Sequence, residues 1–180
     1  VQSIVSRNVP AIDSVVLSLC SVQGGNPQAM SVIPDDVTLV GTVRTYSPVM
    51  QDRVEQRLKN LCSAIASGFG ATAQVNYERI YPATINTLPE AHFASDVAAS
   101  LVGEARVMRN MPPSMGGEDF SFMLQAKPGA YMRLGQGDSA GGRPGCYLHN
   151  SHYDFNDAVL PLGAALHASL IEQSMPLVAT

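Results

Sequence analysis

The sequence predicts a fold of mixed α/β and α+β class, and three observations support this prediction. Apolar residues make up 46% of the 180 residues and charged residues 14%, so a core can form. Two segments rich in β-forming residues follow each other early in the chain, and a long segment of helical periodicity comes directly after them. Two helices on one face of a small antiparallel sheet form an α+β unit, whereas the second half has long loops between isolated elements.

The first half is predicted to run helix–strand–strand–helix–strand. Its long helix has Ser47 as N-cap and Pro48 at the first helical position, and Gly68 and Gly70 stop it. Pro82 closes the last strand. A ferredoxin-like βαββαβ sandwich would need one further strand before the first helix. The predicted elements are a helix over residues 1–9, strands over 14–25 and 35–46, a helix over 48–68 and a strand over 72–84.

The second half has one predicted strand between helices. A single strand does not form a stable sheet. We therefore expect residues 87–180 to complete a sheet that other residues supply, and to expose apolar surface without it. Pro161 fits the last helix only in its first turn. The predicted elements are a helix over 89–105, a loop and short helix over 111–124, a strand over 129–137, a long loop over 138–157 and a helix over 158–175.

Charge and composition exclude several classes of partner. The formal net charge is −4 and there is no basic run, so we expect neither nucleic acid nor an anionic membrane as partner. No stretch of 18 apolar residues is present, and we expect no membrane span. Cys20, Cys62 and Cys146 are odd in number and form no CxxC motif, which indicates reduced thiols in a cytoplasmic protein.

The segment CYLHNSHYDFND, residues 146–157, concentrates side chains that can bind metal or transfer protons. His149 and His152 are the candidates, but a pair of loop histidines can also be merely exposed. Two histidines do not complete a metal site, which needs three or four ligands. Asp157 could add a ligand or could cap the terminal helix. Cys146 has no oxyanion hole or orienting group nearby, so a cysteine nucleophile is disfavoured.

Two further candidates lie outside this loop, and each has a structural alternative. In GGEDF, residues 116–120, the glycines allow the backbone to approach a ligand, but acidic residues are favoured at a helix start in any case. Arg44, near the end of an apolar strand, can extend to solvent or can present a planar fork to a substrate carboxylate. No catalytic base or nucleophile is predicted within this chain.

Four segments, taken in order, resemble the C-terminal part of the M20 family of metallopeptidases and amidohydrolases. The resemblance is to the branch of N-acyl-amino-acid amidohydrolases, hippurate hydrolases and indole-acetyl-amino-acid hydrolases. It implies a ferredoxin-like lid (dimerisation) domain over residues 1–86, incomplete at its N-terminus, and the C-terminal part of a zinc-peptidase-like α/β catalytic domain over residues 87–180. The segments are VQSIVSRNV (1–9), SVIPDDVTLVGTVRT (31–45), SMGGEDFSFML (114–124) and YLHNSHYDFND (147–157), followed by the LPLGAALH helix.

The resemblance also implies roles for individual residues. His149 matches the family's final metal ligand, and zinc, manganese or cobalt would suit a neutral imidazole. Arg44 matches a lid arginine that grips the substrate carboxylate in the active site of the partner subunit. Gly117 and Glu118 match a segment that lines the pocket. Ser31 stands where the family usually has an asparagine that holds the substrate or the developing oxyanion, so the choice of substrate is open.

The activity implied by the resemblance is metal-dependent hydrolysis of a C–N bond. Metal-activated water would cleave the amide of an N-acyl amino acid or a dipeptide-like substrate, and a homodimer would form through residues 1–86. The family's other metal ligands and its catalytic glutamate match nothing in this chain. We therefore expect the chain to be a fragment that is inactive alone. The alternative is a non-catalytic dimerisation or binding module with no hydrolytic activity.

Overall fold

The structure, a computed structural model, describes residues 1–137 and 146–176 and has a mixed α/β fold. Contacts divide it into two compact units, which comprise residues 1–84 with 113–122 (unit 1) and residues 85–112 with the described residues from 123 onward (unit 2). The division into domains 1–86 and 87–180 stays a prediction. The elements are α1 (Ser3–Asn8), β1 (Val15–Gln23), β2 (Thr38–Thr45), α2 (Pro48–Gly68), α3 (Leu88–Val102), α4 (Phe120–Ala126) and α5 (Leu160–Ser174), with short 3-10 turns at Glu104–Arg106 and Asp157–Val159.

Strands β1 and β2 form an antiparallel pair, which confirms the prediction for these two segments. The register shifts between Leu19 and Ser21, so that one residue of β1 is extra at this point. Gly41 lies opposite Leu19. A Cβ atom at Gly41 would lie 2.5 Å from the backbone oxygen of Ser18, so only glycine allows the two backbones to come this close.

The core of unit 1 joins α1 and α2 to the hairpin. Ile4 of α1, Leu17 of β1, and Met50 and Val54 of α2 are buried in one cluster, with half-buried valines and leucines around it. Helix α2 begins as predicted, because the side chain of Ser47 accepts a hydrogen bond from the Met50 N–H at 3.1 Å. Its spacing of apolar residues places one face of the helix on this core.

The predicted strand over residues 72–84 is wrong, because β1 and β2 form the only sheet in the described part of the chain. A strand requires a hydrogen-bonded neighbour about 4.8 Å away, which a local pattern does not supply. Arg79 instead forms ion pairs with Asp52 and Glu55 of α2, both at 2.6 Å. Hydrogen bonds from Lys59 and Arg79 hold the pKa of Glu55 below its ordinary value of 4.5. Charged contacts thus connect this segment to α2.

In unit 2, α3 packs against α5, and Ala94 and Val97 of α3 are buried. No residue of α5 is buried. Large apolar side chains are exposed, among them Leu88 (67%), Leu160 (56%) and Ile171 (58%). The expected exposure of apolar surface in the second half is therefore present.

The segment 129–137 was predicted as a strand, and this prediction is also wrong, since no ladder forms there. Hydrogen bonds connect it to the start of α3 instead. The Tyr131 N–H donates to Asn86 Oδ1 at 2.8 Å, and Asn86 Nδ2 donates to the Tyr131 oxygen at 3.1 Å. The Thr87 N–H donates to the Gly129 oxygen at 2.9 Å. These reciprocal bonds satisfy backbone groups that a sheet would otherwise pair.

Three smaller expectations concern the helices and the cysteines. Asn156 caps the turn that leads into α5, because its side chain accepts from the Ala158 N–H at 3.1 Å, and Asp157, for which capping was one of two alternatives, follows it. The three cysteines are free, as expected. Among the helices of residues 1–137 and 146–176, none has the length and apolar character needed to cross a membrane.

The core cluster leads to a prediction about stability. Ile4→Ala should lower the free energy of unfolding by about 2–5 kcal/mol, because Ile4 is only 1% exposed and its loss leaves a cavity. Ile12→Ala is the matched control, since Ile12 is 95% exposed, and should change stability by about 0.5 kcal/mol or less. Urea unfolding followed by far-UV circular dichroism measures both. Equal effects of the two variants would contradict the packing described for α1.

Candidate functional site

The residues predicted to bind substrate lie in unit 1, and the predicted metal ligand lies in unit 2. One contact joins two of the predicted substrate-binding segments, because Nη1 of Arg44 donates to the backbone oxygen of Met115 at 2.5 Å. This bond holds Arg44 of β2 beside the loop that leads into α4. The predicted residues are Ser31, Arg44, Gly117 and Glu118 for substrate and His149 for metal.

The position of Arg44 follows from strand geometry. Val43 pairs with Leu17 on the core side of the hairpin, so Arg44, paired with Val16, points to the other face. The arginine is exposed. A guanidinium has five N–H donors, and the bond to Met115 uses one of them. The remaining donors can bind a carboxylate in two-point fashion.

Gly117 packs beneath an aromatic pair. A Cβ atom at this position would lie 3.3 Å from Cδ2 of Tyr81, so a larger residue would press on the ring. The Tyr81 ring meets the Phe122 ring edge to face, with centroids 6.1 Å apart. Approach of a ligand to this glycine stays a prediction, and the structure adds a packing role. This packing role could not be read from the local sequence, because Tyr81 lies 36 positions upstream of Gly117.

Glu118 contributes to the start of α4. Its carboxylate accepts from the Phe120 N–H at 3.5 Å, and its backbone oxygen accepts from Oγ of Ser121 at 2.6 Å. The helix-start alternative for Glu118 is therefore present in the structure. Ser121 is fully buried and was not among the predicted residues. Its bond back to Glu118 stabilises the loop that carries Gly117.

Ser31 lies in the long connection between β1 and β2. It is exposed, and the Val32 N–H donates to the Ala29 oxygen at 3.1 Å across a turn that contains it. Within the described ranges, no hydrogen bond connects Ser31 with another residue predicted to bind substrate. A hydrogen bond therefore joins Arg44 to the segment with Gly117, whereas none joins Ser31 to either of them in the described residues.

His149 stands out by its backbone conformation. Its φ is 72°, and in the described part of the chain it is the only residue other than glycine with a positive φ. An L-residue in this region stores about 1–3 kcal/mol of strain, and such residues concentrate at functional sites. The imidazole belongs to an exposed residue, so that it is accessible to a ligand. Composition and spacing indicated the residue type but could not reveal the strain.

A metal site requires more than His149. Across residues 1–137 and 146–176, no three histidine, cysteine, aspartate or glutamate side chains are grouped so that they could hold a metal ion. Sites for zinc have three or four protein ligands. The described residues therefore do not form a metal site by themselves, and no hydrolytic step is assigned to them. His149 offers an accessible imidazole, a side chain that is a common metal ligand.

Comparison with models of protein families gives a match that covers most of the chain. The model of peptidase family M20/M25/M40 matches residues 7–173. The hippurate hydrolase of Campylobacter jejuni is 35% identical over 169 residues, which cover 94% of this chain and 42% of that protein. The IAA-amino acid hydrolase ILR1-like 4 of Arabidopsis thaliana is 33% identical over 94% of this chain and 38% of its own length. The chain thus spans about two fifths of the curated relatives it matches.

Two solved structures have the same fold. The YxeP protein of Bacillus subtilis, described as a dinuclear metal-binding peptidase of the M20 family, aligns with a TM-score of 0.68 and 25% identity. The alignment covers 98% of this chain and 45% of that chain. A structure from methicillin-resistant Staphylococcus aureus aligns with a TM-score of 0.71 at 20% identity, covering 94% of this chain and 41% of that chain, and shows the fold alone.

The contact between Arg44 and Met115 can be tested by hydrogen exchange. In Arg44→Met, the amides of residues 114–118 should exchange about tenfold faster or more, because a charge-assisted hydrogen bond that fixes their backbone is lost. Arg53→Met is the matched control, since Arg53 lies exposed on α2, and it should leave these amides unchanged. If Arg44→Met and the control gave the same exchange rates, Arg44 would not hold this loop.

Proposed function

The chain belongs to peptidase family M20/M25/M40, and from this premise we propose that it is part of a metal-dependent amidohydrolase that cleaves the C–N bond of N-acyl amino acids or dipeptide-like substrates. The observation that carries the proposal is the similarity of nearly the whole chain to hydrolases named for hippurate and for IAA-amino acids. Hippurate is an N-acyl amino acid, and IAA-amino acids are amides of the same kind. A shared chemistry therefore supports the substrate class.

The role proposed for His149 is that of a metal ligand. A divalent metal such as zinc, manganese or cobalt supplies activated water at neutral pH in hydrolases of this kind. The exposed imidazole and the strained backbone of His149 support the assignment. The other ligands would come from outside the described residues, which hold no group of three. His152, three residues further on, would have no part in binding the metal.

The role proposed for Arg44 is recognition of the substrate carboxylate. The guanidinium is exposed, has donors left after its bond to Met115, and lies beside the loop with Gly117 and Glu118. A planar fork matches a carboxylate better than a point charge does. Gly117 and Glu118 would line the substrate pocket, and Ser31 would offer a hydroxyl where relatives of the family usually have an amide.

Residues 1–86 are proposed to form a ferredoxin-like lid that also makes a homodimer, and residues 87–180 the end of the catalytic domain. The hairpin with α1 and α2 on one side supports the lid. Its apolar side chains Val22 (63% exposed), Leu39 (52%) and Val40 (51%) support association with a second copy. In such a dimer, Arg44 would reach the active site of the partner subunit.

The second candidate is a non-catalytic dimerisation or binding module. It is favoured by one observation, namely that the described residues contain no complete metal-binding group. Both candidates predict a homodimer, so the oligomeric state does not distinguish them. Hydrolysis of an N-acyl amino acid distinguishes them, because only the amidohydrolase would catalyse it.

The first test of the proposal concerns His149. The complete product of the gene that encodes this chain is purified with zinc or manganese and assayed with N-benzoyl and N-acetyl amino acids. His149→Ala should weaken metal binding by about 100-fold or more and abolish hydrolysis, since loss of even an outer-shell partner costs about 10–100-fold. His152→Ala, in the same loop, should retain both. Hydrolysis that survives His149→Ala would exclude this residue as a ligand, and no hydrolysis by the unmodified protein would favour the binding module.

The second test concerns Arg44 and uses a pair of substrates. For an N-benzoyl amino acid, Arg44→Met should raise KM about 10–100-fold, because hydrogen bonds to a charged group contribute about 1.5–3 kcal/mol. For the carboxamide of the same compound, the variant and the unmodified protein should have similar KM values. Arg53→Met serves as the control with both substrates. An equal loss for acid and carboxamide would show that Arg44 does not recognise the carboxylate.

A further inference from the structure

The backbone at His149 adopts a conformation that L-residues avoid. The Asn150 N–H donates to the Tyr147 oxygen at 3.1 Å, which closes a four-residue turn with His149 in its third position. A third residue with positive φ is typical of a type II turn, where glycine is favoured. With φ at 72°, His149 occupies a conformation that an unconstrained L-residue disfavours by about 5- to 30-fold. Contacts with other residues must therefore stabilise this conformation of His149.

Asn150 holds the turn from one side. Besides its bond to Tyr147, its backbone oxygen accepts from the Tyr153 N–H at 3.0 Å. Its side-chain oxygen accepts from the His152 N–H at 2.9 Å, which is an Asx turn. Two consecutive turns thus share Asn150, and rotation at His149 would break the Asn150–Tyr147 bond of the first turn and displace the second turn.

Gln136 anchors the end of these turns to the segment 129–137. Its side-chain oxygen accepts from the Tyr153 hydroxyl at 3.3 Å and from the Asn156 N–H at 3.2 Å. Its backbone oxygen accepts from Nδ2 of Asn156 at 2.9 Å. Gln136, Tyr153 and Asn156 are all partly buried. Tyr153 therefore connects Gln136 with Asn150, so a continuous path of hydrogen bonds leads to the turn at His149.

We propose that Gln136 and Asn150 are positioning residues that keep His149 in its left-handed conformation and thereby fix the direction of its imidazole. The role of Gln136 and Asn150 in fixing the backbone is independent of the proposed function. Only the use of the imidazole as a metal ligand rests on the proposed function. Partners of this kind matter in metal sites, because a ligand held in one orientation binds without a further loss of freedom. As positioning residues, both would act through His149.

The experiment measures the conformation of His149 in the 180-residue chain by the three-bond coupling between its amide and α protons. Gln136→Met and Asn150→Leu remove the side-chain acceptor oxygens, and in both variants the coupling should shift toward the value of extended backbone. Gln136→Glu and Asn150→Asp retain an acceptor oxygen at similar size and should restore the original coupling. Gln173→Met, an exposed residue of α5, is the control and should have no effect. Circular dichroism verifies that each variant folds.

The outcomes separate this inference from the proposed function. An unchanged coupling in folded Gln136→Met and Asn150→Leu would overturn it, as would a failure of the Glu and Asp variants to restore the coupling. In the complete gene product, Gln136→Met should weaken zinc binding about 10–100-fold, with rescue by Gln136→Glu. If His149→Ala weakened zinc binding and Gln136→Met did not, the positioning role of Gln136 would be wrong, and His149 would remain a metal ligand. If His149→Ala had no effect on zinc, the proposed function would fail, and the coupling would still decide the backbone claim.

Discussion

The burial of four side chains against the β1–β2 hairpin is the constraint on which the first unit depends. Ile4, Leu17, Met50 and Val54 pack together only when one face of the hairpin is turned to α1 and α2. Successive side chains of a strand point to opposite faces, so the core that takes Val43 of β2 forces the next residue outward. The position of a candidate substrate-binding side chain is in this sense a consequence of apolar packing. A slip of one residue in the register would turn it into the core.

Local signals in the sequence were sufficient for the helices and for one pair of strands. The cap at Ser47, the following proline and the alternation in β1 and β2 are properties of a few neighbouring residues. The prediction of strands at 72–84 and 129–137 was wrong because it rested on such local patterns alone. A strand exists only with a neighbour, and no local pattern states whether that neighbour is present. In the described residues, ion pairs and reciprocal asparagine bonds take the place of the ladders.

The types of residue in the candidate site were predictable from the sequence, but the contacts that hold these residues in place (their supports) were not. A histidine in a polar loop and an arginine at a strand end are visible in the sequence, and their chemistry follows from the side chains. The supports join residues far apart in the chain, such as Gln136 with Asn156 or Gly117 with Tyr81. The positive φ of His149 was not predictable from the motif either, because left-handed backbone is uncommon for any residue other than glycine. Contacts between residues far apart in the chain therefore determine features of the site that short sequence motifs do not reveal.

Three arginines of the chain differ in the groups that bind their guanidinium. Arg79 and Arg109 each form ion pairs with two carboxylates, so their positive charge is compensated within the fold. The partner of Arg44 in the described residues is the Met115 carbonyl, which fixes the guanidinium without neutralising it. A carboxylate in that place would compete with an anionic substrate and would weaken its binding. Anchoring by a neutral backbone oxygen gives Arg44 a fixed position without an ion pair in the described residues, whereas the ion pairs of Arg79 and Arg109 stabilise the fold.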